Sequence, residues 1–146
     1  MKYFILLLCI FIATSCAKIG NTFIKTDYIN ISDYMIPAHA ALSDTVKLSV
    51  RAQADNGCWR NLLVYLNKES HLNYSIKAYG TYESKGACPI KLVYKDTVIN
   101  FIPADTGMYL FYVYDTPLTY KSDTLTVNWD LQKCIVISLI NSGILT

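Results

Sequence analysis

Histidine is scarce in this 146-residue chain, with two in all, and no cluster of Lys or Arg occurs. Thirteen basic residues stand singly, and a formal charge of +2 is too small to point to nucleic acid. No Gly-rich phosphate loop, calcium-type acidic repeat or Gly-x-Ser-x-Gly elbow is found. His39 lies in Pro-Ala-His-Ala-Ala and His71 in Lys-Glu-Ser-His-Leu, neither a nucleophile motif, so both read as loop residues. The carboxylates Asp55, Glu69, Glu83, Asp96, Asp105 and Asp115 read as turn residues satisfying local amides, and nothing singles out a pair for glycoside hydrolysis. No catalytic activity, metal or cofactor is therefore expected. An enzyme would have to rest on His39 and His71.

Helical periodicity is absent beyond the first fifteen residues, and no internal repeat is visible. Long apolar runs are missing too. The run from Tyr3 to Ala13 falls short of the ~20 residues a spanning helix needs, and the one from Cys134 to Ile140 has strand length.

What is present is strand chemistry. Hydrophobic residues make up 53% of the chain against 16% charged, which excludes a disordered polymer. Twelve tyrosines suit a pleated surface, because the ring packs while the hydroxyl stays wet. Val46, Leu48, Val50 and Ala52 alternate with Lys47, Ser49, Arg51 and Gln53, apolar inward and polar outward. Tyr74, Ile76 and Ala78 alternate likewise with Ser75, Lys77 and Tyr79. Residues 62–66, 91–94, 97–102 and 124–129 read as further strands, and residues 28–36, closed by Pro37, as an edge strand. Asp55-Asn56-Gly57 is a turn. Such spacing predicts an all-β antiparallel sandwich of about seven strands.

At its centre stands Asp105-x-Gly107-x-Tyr109. Beyond it Tyr109, Phe111 and Val113 face one way, and Leu110, Tyr112 and Tyr114 the other. A turn with Asp and Gly before a strand-entry Tyr resembles the corner that opens strand F of immunoglobulin-like domains. Asp105, Gly107 and Tyr109 are thus structural residues.

The amino terminus has Lys2, the apolar run and then Ala13-Thr14-Ser15-Cys16, which resembles a bacterial lipobox. That resemblance implies a signal peptide over residues 1–15 and a lipidated Cys16 as first mature residue. Residues 16–27 would form a tether, 28–130 the domain, and 131–146 a final strand or extension. Several acyl chains make a lasting anchor, at about 0.8 kcal/mol per buried methylene. Ala17 in place of Asp argues against the inner-membrane retention signal, so the implied address is the outer membrane, on its periplasmic or surface face.

Of five cysteines, Cys9 leaves with the signal and Cys16 is taken by lipid. Cys58 and Cys88 both sit at loop–strand junctions in an exported, oxidising setting, and are the preferred disulfide pair. Two buried thiols, or Cys134 as competitor for either partner, are the alternatives. A loop of about 30 residues closed by this bridge corresponds to roughly 3.6 kcal/mol on the chain-entropy model. Neither cysteine has the close companions a zinc site needs.

Asn56-Gly57-Cys58, Gly86-Ala87-Cys88, Phe101-Ile102-Pro103 and Gly107-x-Tyr109 together resemble small Bacteroidetes-type lipoproteins with an immunoglobulin-like domain. The resemblance covers residues 46–127. Phe111 takes the slot of the second immunoglobulin cysteine, and Trp59 adjoins Cys58 instead of sitting in mid-strand C. Asp-Thr-aliphatic triplets at Thr45, Thr97 and Thr124 resemble the Bacteroidetes O-glycosylation signal, though Asp-Thr also serves as turn chemistry. The expected role is a structural or protein-interaction one, with an envelope protein as partner. The alternative is glycan or ligand binding through exposed Trp59, Tyr79, Tyr82 and Trp129.

Overall fold

The computed structural model describes residues 22–129, and 68% of them lie in strands, with no helix among them. The strands are β1 (Phe23–Met35), β2 (His39–Ala41), β3 (Val46–Ala54), β4 (Trp59–Lys68), β5 (Asn73–Ser84), β6 (Val93–Phe101), β7 (Gly107–Tyr114) and β8 (Tyr120–Asn128). They hydrogen-bond in the order β2-β8-β7-β5-β1-β3-β6, with β4 also on β5. The result is one mixed sheet curled into a half-barrel. Its concave side holds the core.

Period-two patterning decides which side each residue takes. In β3, Val46, Leu48, Val50, Ala52 and Ala54 are all buried; in β7, Tyr109, Phe111 and Val113 are; in β8, Leu125 and Val127. Ile29 and Ile31 of β1, Ile36 just beyond it, Leu62 of β4 and Ile76 and Ala78 of β5 complete this cluster, with Phe101 closing the end of β6. Tyr74, Phe101, Tyr109 and Phe111 meet ring to ring at centroid distances of 5.0–6.0 Å.

The sheet departs from the expected all-antiparallel order. β5 and β7 run parallel, as do β2 and β8. Between β5 and β7 the chain crosses to the far branch to make β6, which provides the long connection that parallel neighbours require. Residues 91–94 and 97–102 fuse into this single β6, continuous against β3 from Ala54↔Val93 to Val46↔Phe101.

β1 is an interior strand, not the edge strand expected from Pro37. That proline falls two residues beyond the last strand residue, Met35, and so interrupts no ladder. β1 also begins at Phe23, inside the stretch expected to be a tether, with Phe23 to Ile29 paired on Ser84 to Ala78. One edge of β5 is shared: β7 occupies it from Asn73 to Ile76, and β1 from Ala78 onward. Arriving at that boundary, β1 leaves β5 and pairs from Asn30 with β3, bulging between Ile31 and Asp33. The sheet therefore forks at Ile29–Asn30. His39, expected in a loop, lies in β2 opposite Thr126.

Cys58 and Cys88 form a disulfide with Cα atoms 5.4 Å apart. It ties the β3–β4 turn to the β5–β6 connection, where Gly57 N–H donates to the Pro89 carbonyl. Tyr109 is 1% exposed. Its hydroxyl donates to the Asp105 carbonyl at 2.9 Å and accepts the Asp105 N–H at 3.0 Å, so one side chain satisfies both backbone groups of the turn. Gly107 has φ +137°, a conformation only glycine adopts readily, and Leu72 packs 3.1 Å from where a Cβ would stand.

Candidate functional site

The four aromatics proposed for ligand contact do not share a surface. Trp59 and Tyr82 are paired across β4 and β5 where β5 ends, on the concave side. Their rings meet edge-to-face at 5.3 Å, and Trp59 packs against the core. The Tyr82 hydroxyl lies 3.0 Å from Cys88 Sγ. Trp129 is 65% exposed and follows β8 at the opposite end, where β7 begins. Only Tyr79 faces the convex side.

That convex side gathers tyrosines the sequence did not single out for binding. Tyr28 of β1 stands opposite Tyr79, with ring centroids 4.4 Å apart. Tyr65 of β4 stands opposite Lys77 and meets Tyr79 edge-to-face at 5.8 Å. Across the other edge of β5, Ser75 is opposite Tyr112; two residues on, Tyr114 is paired with Tyr120. Tyr120 contacts both rings, at 5.2 and 5.4 Å. Lys77 occupies the centre. Its Nζ lies 4.8 Å from the Tyr114 centroid and 3.6 Å from Glu69 Oε1, a cation held over a ring and beside a carboxylate. The fully buried Ser75 donates its hydroxyl to the same Glu69 oxygen, and this bond, with Lys77, holds the Glu69 carboxyl below its ordinary range. The neighbouring Tyr28 hydroxyl, together with burial, pushes Tyr79 up to about 12.

The strand parity of these residues was readable: Tyr79 alternates with buried Ile76 and Ala78, and Tyr112 and Tyr114 with Phe111. Assembly onto one face was not readable, because it depends on which strands become neighbours of β5.

A second feature lies at the fork. Where β1 leaves β5, the β7–β8 turn meets it and a cleft of about 300 Å³ opens between them. Tyr28 and Trp59 are the aromatic residues that line it, and Asn30, Gln53, Asp55 and Asp115 the polar ones. A broader hollow of about 590 Å³ lies on the convex side of β1, β3 and β6. Two of its charges are paired, with Arg51 Nε donating to Asp96 Oδ1 at 2.7 Å, which lowers the Asp96 pKa and raises that of Arg51.

The histidines do not converge on a site. His71 is exposed, with Nε2 3.7 Å from Asp105 Oδ2, beyond hydrogen-bond reach, and His39 is exposed on β2. No group of three or more potential metal ligands occurs among the described residues. Of the Asp-Thr positions, Thr45 is exposed just before β3 and Thr124 is exposed within β8, where Asp123 Oδ1 accepts its N–H. Thr97 is half-buried in mid-β6, so its Asp-Thr pair is not a turn. Cys16, Cys134 and residues 1–15 and 131–146 lie outside the described residues.

Comparison of the chain with protein-family models, with curated proteins and with solved structures finds no match.

Proposed function

We propose that the chain is a lipid-anchored, extracytoplasmic interaction module whose contact surface is the tyrosine face around Lys77. The single observation that carries this reading is that face: Tyr28, Tyr65, Tyr79, Tyr112, Tyr114 and Tyr120 assembled on one side of one sheet. Tyrosine combines large contact area with few rotatable bonds, which is why it is enriched at protein interfaces. Tyr65 and Tyr120 stand about half exposed while their neighbours are held ring against ring. A surface so ordered in advance loses little entropy on binding.

The address is inferred from the lipobox-like end at Cys16, and the Cys58–Cys88 bridge supports it, since disulfides persist in oxidising compartments. The Tyr109–Asp105 corner supports an immunoglobulin-like ancestry for the domain, with β1 divided between two partners and two parallel pairings as its own features. The partner is an envelope protein. Capture of envelope proteins by the full chain tests this, with a Tyr65→Ala/Tyr120→Ala double variant beside it. Both side chains are partly solvated, so the fold survives the change. A partner lost with the double variant is the expected result, and undiminished capture counts against the face.

A further inference from the structure

We propose that the cleft at the fork of the sheet is a binding site for a neutral saccharide of one or two rings. It uses residues other than the tyrosine face, apart from Tyr28, and does not depend on the protein-partner reading.

The Trp59 ring is fixed from three directions. Its indole N–H donates to Asp55 Oδ1 at 2.9 Å, Tyr82 abuts it edge-on, and Cε3 lies 3.0 Å from the point where a Cβ on Gly80 would stand. Gly80 therefore lets the indole lie against the backbone of β5. An aromatic wall immobilised before the ligand arrives is what stacking on the C–H face of a sugar ring requires.

The polar groups that line the cleft suit hydroxyls rather than ions. Asp55 Oδ1 already accepts from the indole and from Asn56 Nδ2, and Asp115 Oδ2 is 3.6 Å from Lys121 Nζ. Neither carboxylate is an isolated charge awaiting a counterion. Two acidic side chains in turn disfavour an anionic ligand. Each carboxylate keeps an oxygen that makes no hydrogen bond among the described residues, and the side-chain amides of Asn30 and Gln53 make none either. An amide both donates and accepts, and a carboxylate accepts, so together they match the donors and acceptors of vicinal hydroxyls. The volume of about 300 Å³ sits at the lower end of ligand pockets, which limits the occupant to one or two rings.

The test uses the full-length chain in a detergent without sugar headgroups, carrying Trp129→Phe so that Trp59 is the only indole. Its emission is followed on titration with cellobiose, maltose, lactose and chitobiose, and with choline chloride as a cationic probe. The expected result is a saturable change with at least one disaccharide, weakened about fivefold or more by Asn30→Ala and by Asp115→Ala. Both variants are checked for native near-UV circular dichroism. Tyr65→Ala, on the convex face, leaves the saccharide response unchanged. No response to any disaccharide, a response to choline alone, or equal binding by both cleft variants would overturn the proposal. Envelope-protein capture fails or succeeds through Tyr65 and Tyr120, so the two readings fail separately.

Discussion

Tyr109 shows how much one side chain can organise. Its ring lies in the aromatic core with Phe101, Tyr74 and Phe111, and its hydroxyl holds both backbone groups of Asp105. Tyr109→Phe keeps the ring and leaves those two groups unsatisfied. We expect a loss of ~1–3 kcal/mol in urea unfolding, with the fold retained. Phe111→Ala, fully buried, should cost ~3–5 kcal/mol through the cavity it opens. Tyr79 gives a pH signature. Its folded pKa of about 12 lies above the ordinary value of 10.0, so the folded state holds the proton more tightly. The associated stability is full below about pH 10 and declines as pH rises toward the folded value. Unfolding measured between about pH 9 and 11.5 should show this decline in the wild type and a shallower one in Tyr79→Phe. The corner was legible because Asp105, Gly107 and Tyr109 lie within five residues of one another. The Tyr28–Tyr79 contact was not, because 51 positions separate its members.

Among elements, β3, β5 and β7 were legible from alternation alone, since apolar side chains fill one side of each. β1 was misplaced for a physical reason. Its membership changes halfway, from β5 to β3, because β7 takes the remaining edge of β5. No local pattern encodes a competitor arriving eighty residues later. The parallel β5–β7 pairing was hidden for the same reason, and with it the cleft that forms where the three strands meet. The disulfide, by contrast, was legible from its turn residues, Asn56-Gly57 and Gly86-Ala87. Cys58→Ser/Cys88→Ser should lose ~2–5 kcal/mol, seen as a lower urea midpoint that reducing agent lowers no further. Gly80→Ala should destabilise as well, because β5 would have to push the Trp59 ring aside. A red-shifted Trp59 emission would report that displacement.

For the molecule as a whole, the half-barrel leaves two surfaces with separate chemistry: a convex tyrosine face centred on Lys77, and a polar-aromatic cleft at the fork. Both lie on a scaffold crosslinked by Cys58–Cys88, a bond that persists in oxidising compartments. The all-β class was legible from composition and turn spacing, whereas the surfaces depend on strand order and were not. Joining this scaffold to a membrane through Cys16 is the proposed step that would make the interaction module a tethered one. Metabolic labelling with an alkynyl fatty acid tests that joining most directly. Wild-type protein should carry the label and Cys16→Ala should lose it; undiminished labelling of Cys16→Ala would contradict the account.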